Sequence, residues 1–425
     1  MSAEAIASPV PIDATASATA PKTQRLMSVD ALRGFDMCWI IGADSLVYAL
    51  DRMANGSDEK SHGFIGFLAY ELDHADWAGF HFYDLIFPLF VFIVGVSLVF
   101  SLGKAIQREG RPAAVKRIIR RSVLMFLVAL FCSGGFSNSW PEIRLMGVLN
   151  RIAICYGCAG IIFCFCNLRT MIGICAGLLI GYWALMTFVP VRDIQLEKSS
   201  LQQLAQKRGV PFDPQRLFYE TTNYVTGHFE HGFDLSDHVD FQYLPGRKYD
   251  TYFDPEGFLS TLPAIGTCLL GVFAGLLLAN NTLRDTQKVI YLLMGGLMLV
   301  ALGWAWSAQF PVVKKIWTSS FVFVAGGYSA LLLGVFFWII DVAKYRAWCQ
   351  PFVWMGMNSI TIYLIKNFLG GGFGGLSKRF VGGDIRNFLK SHMRGSGDLA
   401  SAMVGLAIAF WIVRFLYRRQ IFLRL

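Results

Sequence analysis

The stretch HADWAGFHFYDLIFPLFVFIVGVSLVFSLGK, residues 74–104, decides the architecture of this chain. Its second half is an apolar run of about twenty residues, the length that a hydrocarbon core of about 30 Å asks of a helix. Its first half places His74, Asp76, His81 and Asp84, with Asp73 just ahead, at the mouth of that run. Ionisable groups at the edge of hydrocarbon are costly, so a crowd of them there marks a functional site by default. The stretch therefore reads as a reaction site set into a membrane.

Composition supports this. Of 425 residues, 55% are hydrophobic and 16% are charged, against about 25% charged in soluble domains. The net charge of +9 raises the question of nucleic acid, but no Lys/Arg-rich arm with interleaved aromatics stands apart from the apolar runs. No nucleic-acid partner is expected. Apolar segments recur at roughly 31–50, 82–103, 122–138, 146–166, 170–190, 257–279, 289–307, 317–341, 351–369 and 399–417. The expected fold is all-α, a polytopic membrane helix bundle of about ten transmembrane helices embedded in a lipid bilayer.

Positive charge in short loops sets orientation. Lys104, Arg108, Arg111, Lys116, Arg117, Arg120 and Arg121 make 104–121 the densest basic loop, which places it in the cytoplasm. Alternation then puts both termini in the cytoplasm, and Arg418, Arg419 and Arg424 agree. The basic loop 370–397, assigned outside, is discordant; its GGGFGG run (370–375) reads as a flexible outer loop. Residues 1–28, Ala/Ser/Pro-rich at first, read as a disordered cytoplasmic tail without a secretory signal. Residues 29–425 form the membrane domain, with external loops at 51–81 and 191–256.

Most of the nine cysteines lie in apolar runs, and the C-x-x-C of Cys155 and Cys158 reads as helix packing. His228 and His231 form an H-x-x-H with no third ligand at fixed spacing, so no metal is expected.

In the first span, Asp30, Arg33 and Asp36 share one helical face and can neutralise one another. Arg33 is either a structural ion pair or a phosphate or pantetheine contact. Asp44 lies about 12 Å beyond Asp36 by helical rise, approaching the side where His74 enters. A carboxylate beside an imidazole fixes its tautomer and raises its basicity, which makes a general base. Asp84 is either a packing partner for an arginine or a substrate ligand. Arg151, one turn into its span, needs a partner, and Asp84 or a cofactor would serve. Asp254-Pro255-Glu256-Gly257 has the grammar of a helix start, with Asp254 as cap, and leaves Glu256 to meet sugar hydroxyls or an amine. Lys314, Lys315 and Trp317 mark another outer edge. Asn358 and Ser359, deep in an apolar run, are interhelical hydrogen bonders or donors to a thioester oxygen or pantetheine.

The runs RLMSVDALRG, HADWAGFHFYDLIFPLFVFIVGVS, LNRIAICYG, FDPEGFLSTLPAI, KKIWTSSFVFVAGG and GMNSITIYLI, in this order from residue 25 to about 365, resemble the heparan-α-glucosaminide N-acetyltransferase family. That resemblance implies a transmembrane acyltransferase moving acetyl from cytoplasmic acetyl-CoA to an amino sugar across the membrane. It places the family's catalytic histidine on His74 and sets Lys314 and Trp317 close to the functional centre. The animal enzymes carry an asparagine in the first span; the matching position here is Asp44. Their large luminal N-terminal domain has no counterpart in these 425 residues, so the expectation is a bacterial member in the inner membrane, linked to glucosamine-type substrates.

The expected site is then His74 as base or acetyl-accepting nucleophile with Asp44 beside it. Arg33, Arg151, Asn358 and Ser359 would face acetyl-CoA, and Asp84, Glu256, Lys314 and Trp317 the amino sugar. Amine acylation needs a base for the amine proton and donors for the oxyanion of the thioester. The alternative is a membrane transporter of amino sugars or cell-wall sugar fragments, which would need no acetyl-CoA. Homodimer formation is left open.

Overall fold

Inside hydrocarbon no water is available to backbone groups, so apolar runs of this length satisfy themselves as helices. The computed structural model describes residues 26–55, 63–135, 137 and 139–423, and it is mostly helical. In chain order the first helices are α1 (Met27–Cys38), α2 (Asp44–Asn55), α3 (Gly63–Glu71), α4 (Phe82–Cys132), α5 (Val148–Phe165) and α6 (Leu168–Phe188). A polar segment follows with α7 (Lys198–Arg208), α8 (Pro214–Glu220) and α9 (Leu235–Tyr243). Then come α10 (Thr261–Ala279), α11 (Asp285–Trp306), α12 (Ser319–Phe337), α13 (Gln350–Met357), α14 (Ser359–Phe368), α15 (Gly372–Ser377), α16 (Gly383–His392) and α17 (Ser396–Arg418).

Among the described residues, seven helices are long and apolar enough to cross a membrane: α4, α5, α6, α10, α11, α12 with its π-helical extension to Val342, and α17. The ten expected spans are not present as ten such helices, and the reasons are local. Helix α4 runs for 51 residues and carries two expected spans together with the basic loop between them. That loop is helical except at Gly110, whose φ of 83° and ψ of 171° break the helix two residues before Pro112. The first expected span is divided by a π-helical turn, Trp39–Ala43, in which Gly42 takes φ 121°, a left-handed value that favours glycine. The ninth is divided at Asn358, between α13 and α14.

Of the expected tail, residues 1–25 lie outside the described residues. The Gly cluster at 370–375 is not simply a loop, because positive φ angles at Gly370, Gly371 and Gly372 turn the chain into α15. Asp254 does not cap a helix either. Helix α10 begins at Thr261, and Asp254 instead organises a turn by accepting the backbone N–H of Tyr249 and of Glu256.

Two close helix crossings fix the walls of the site. A Cβ at Gly95 of α4 would run into the Cys268 carbonyl of α10, and one at Gly271 of α10 into the Phe92 carbonyl. Small residues let backbones approach this far where lipid offers no hydrophobic drive between helices. Gly34 and Gly356 do the same where α1 meets α13. Beside the bundle, the polar segment 191–256 has its own core, built on Leu201, Leu217, Phe218, Phe241 and Phe253. It includes a two-stranded antiparallel ribbon pairing Val191 with Val225.

Candidate active site

Helix α4 starts with its first-turn carboxylate turned back onto the N-cap. His81 is the N-cap, and Asp84, three residues in, accepts the His81 backbone N–H at 3.1 Å. The same carboxylate, only 1% exposed, accepts the Ala75 N–H at 3.2 Å and faces His74 Nδ1 at 2.8 Å. Lys314 Nζ approaches its Oδ1 at 3.2 Å. An ionised carboxylate can only accept, so His74 carries its proton on Nδ1 and keeps the Nε2 lone pair free. Lys314 Nζ also lies 3.1 Å from His74 Nδ1, so two donors share one oxygen of Asp84. Burial pulls the Lys314 ammonium below its usual range, against the opposing pull of Asp84 and Glu256.

The partner of His74 is therefore Asp84 rather than Asp44. Asp44 accepts a hydrogen bond from Tyr83 Oη at 3.3 Å, and the Tyr83 ring lies 4.9 Å from that of His74. Tyr83 stands between the two expected catalytic residues.

His74 opens onto a cavity of about 730 Å³, within the range of small-molecule sites. It is lined at one end by His74, Asp84, Arg144, Glu256, Lys314 and Trp317, and along its length by Ser97, Ser101, Arg33, Arg121 and Ser359. Asp84 and Ser101 are 17 positions apart on α4, about 25 Å by helical rise, so the cavity follows most of a bilayer's thickness.

At the far end Arg33 donates to the Ser97 hydroxyl and lies 3.7 Å from Asp30. Asp36 does not join them: its carboxylate is buried without a hydrogen-bond partner among the described residues. The Arg121 guanidinium sits 4.8 Å over the Tyr156 ring, and its buried Nε has no hydrogen-bond partner among the described residues.

At the His74 end, Arg144 Nη2 lies 2.8 Å from Asp254 Oδ1 and 2.7 Å from Glu256 Oε2. Burial raises the Glu256 carboxyl above its ordinary range, against the counter-pull of Arg151 and Arg144.

Other expected site residues fall elsewhere. Arg151 meets neither Asp84 nor the cavity; it donates to the Pro255 carbonyl at 2.8 Å and Ser260 Oγ at 2.5 Å, with its guanidinium 5.0 Å over Trp317. It locks the turn before α10 against Trp317. Trp317 lines the cavity, fully buried, with its indole N–H on Thr267 Oγ1 at 3.1 Å. Asn358 lies outside the lining and donates to the Trp354 carbonyl at 3.2 Å, while Ser359 next to it is in the lining.

The lining also holds polar residues that had not been singled out for the site, among them Tyr83, Ser97, Ser101, Arg121, Arg144 and Lys366. Arg121 was hidden in the basic loop and Lys366 in an apolar run. Lys366 Nζ donates to the Ile40 carbonyl at 2.5 Å, in the π-helical turn. Arg144 lies far from its acids in sequence, and nothing in the pattern connects them.

Fold and site together define a multi-pass helical membrane protein in which a histidine, oriented by a buried carboxylate, stands at one end of a cavity along the bundle. Two curated relatives sharpen the class. The chain is 26% identical over 387 residues to the heparan-alpha-glucosaminide N-acetyltransferase of Homo sapiens, covering 82% of this chain and 55% of that one. It is 25% identical over 326 residues to the enzyme of the same name from Mus musculus, covering 68% and 48%. The two matches support membership of the heparan-α-glucosaminide N-acetyltransferase family. The chain spans about half the length of the curated relatives it matches. No family model matches it.

Proposed function

We propose that this protein is a transmembrane acetyltransferase that moves an acetyl group from cytoplasmic acetyl-CoA to a glucosamine-type amine on the outer side. The observation that carries the reading is the cavity, with Arg33 and Arg121 at one end and His74 at the other. Arg33, Arg121, Ser97 and Ser101 would take the phosphates and adjoining pantetheine of acetyl-CoA, and the thioester would reach His74 along α4. Ser359 and the backbone beside it would line that path.

His74 acts through Nε2, either as base toward the acceptor amine or as the nucleophile that carries the acetyl group. Asp84 orients it and balances the imidazolium formed. Glu256 and Trp317 would meet the sugar. The likeness to the two N-acetyltransferases supports the same chemistry.

The transporter reading has one observation in its favour. Two discontinuous helices, broken at Gly42 and Asn358, flank the cavity, an arrangement that substrate sites of transporters share. Purified protein in detergent, given acetyl-CoA and glucosamine, should release free CoA at a rate that needs both glucosamine and His74. Undiminished release from His74→Ala would remove His74 from the chemistry, and absence of any acetyl-CoA binding would favour transport.

A further inference from the structure

Three lysines line the cavity, and their partners differ. Lys366 donates to the Ile40 carbonyl. Lys315 turns to Asp250 at 3.0 Å and lies 3.5 Å from His231. Among the described lysines only Lys314 reaches the histidine, with Nζ 3.1 Å from His74 Nδ1 and 3.2 Å from Asp84 Oδ1. The chain around Lys314 is anchored: Val313 pairs with Ala78 in an isolated bridge, and its N–H donates to Thr318 Oγ1 at 3.1 Å. A primary amine, the functional group of the proposed acceptor, is thus held against the residue that would activate an acceptor. Burial also weakens the hold of that amine on its proton, which raises the share of the neutral, nucleophilic form.

We propose that Lys314 is an internal acetyl acceptor, N-acetylated by the site itself when acetyl-CoA is bound and no external amine is present. This rests on the acetyltransferase reading above. The ammonium of Lys314 gives one proton to water in the cavity, and the neutral Nζ attacks the thioester carbonyl carbon. The C–N bond forms as the C–S bond breaks. The free Nε2 of His74 takes one of the two protons left on the acylated nitrogen and hands it to the leaving thiolate, which departs as free CoA, and the other proton stays on the amide. The product is a stable amide, so acetyl-Lys314 is a dead end rather than an intermediate. It removes the cation beside Asp84 and places an acetamide against His74, which slows turnover. The protein would thereby switch itself off when the donor accumulates without an acceptor.

The test incubates the purified full-length protein with acetyl-CoA, with and without glucosamine, followed by peptide mass spectrometry before and after hydroxylamine. The expected result is one acetyl group on the Lys314 peptide, resistant to hydroxylamine, slower to form when glucosamine is present, and absent in His74→Ala. Activity should fall during preincubation in step with the acetyl occupancy of Lys314, and should hold when glucosamine is present from the start. An unmodified Lys314 in protein that still releases CoA with glucosamine overturns the proposal and leaves the acetyltransferase intact. A hydroxylamine-labile acetyl group on His74 alone does the same. No CoA release with any amine and no acetyl group on any residue overturns the reading beneath it.

Discussion

Replacing Asp84 with asparagine tests the whole site in a single atom. The side chain keeps its shape, but one oxygen becomes an NH₂ and the charge is lost. In the native protein that carboxylate meets His74 at 2.8 Å, Lys314 at 3.2 Å and the backbone N–H groups of Ala75 and His81. The amide keeps one acceptor oxygen. If it stays toward the two backbone donors, an NH₂ faces His74 Nδ1, and the imidazole must move its proton to Nε2 to accept. His74 then has no lone pair toward the cavity.

A base removed in this way costs about 10²–10⁴ in rate, and the equivalent wrong-tautomer change in a serine protease costs about 10⁴. We therefore expect kcat to fall by about 10²–10⁴, or roughly 3–5 kcal/mol of barrier, with KM for acetyl-CoA little changed. Stability should also fall by about 3 kcal/mol or more, because Lys314 loses the charge that compensates its burial. CoA release followed with a thiol reagent, alongside thermal melting of the same preparation, separates the two effects. A variant that keeps kcat within about threefold of wild type, a difference too small for a lost transition-state interaction, would refute Asp84 as the orienting group.

Arg121→Gln should raise KM for acetyl-CoA about tenfold with little change in kcat, the signature of lost uniform binding; initial rates over a range of acetyl-CoA would show otherwise if kcat fell instead. Arg144→Ala removes the cation that pairs directly with both Asp254 and Glu256, and breaking such a buried arrangement costs about 3–5 kcal/mol, read as a large drop in melting temperature. The polar segment 191–256 should lose stability as pH rises from about 4 to about 7. Burial lifts the Asp240 carboxyl to about 7 from 3.8, so the folded state binds its proton more tightly than the unfolded one, and that advantage disappears above the raised value. Asp234, pushed up to about 6 by burial, acts in the same direction. His238, pulled down to about 4 from 6.5, opposes them only below its ordinary value. Melting between pH 6.5 and 8 should therefore flatten in Asp240→Asn, and an unchanged slope would count against this assignment.

The membrane character of the chain and the clustering of chemistry at residues 74–84 could be read directly, because hydrophobic length and misplaced charge are local signals. Gly110 and Pro112 were visible, yet the seven cations around them suggested a loop where α4 in fact continues as helix. The breaks at Gly42 and Asn358 were not readable. An isolated glycine or asparagine in an apolar run is usually tolerated, and here tertiary partners decide, among them the bond from Lys366 to the Ile40 carbonyl. The Asp84–His74 contact was obscured for a related reason. Asp84 is ten residues from His74, and the N–H groups of His81 and Ala75 turn its carboxylate back over the intervening loop. Asp44 lay at the right depth, but depth along a helix does not tell which neighbour fills the gap, and Tyr83 does.

The close contact of α4 with α10 has a mechanical consequence. With the Cys268 carbonyl and the Phe92 carbonyl filling the places of side chains at Gly95 and Gly271, these two helices have no room to slide and behave as a stator. If the protein is the acetyltransferase proposed above, exchange of substrate and product would be worked from the opposite wall, where the chain breaks after α1 and before α14 and a lysine clasps a freed carbonyl. A cross-link joining α1 to α14 should therefore stall multiple turnovers while sparing the first, and one joining α4 to α10 should change neither.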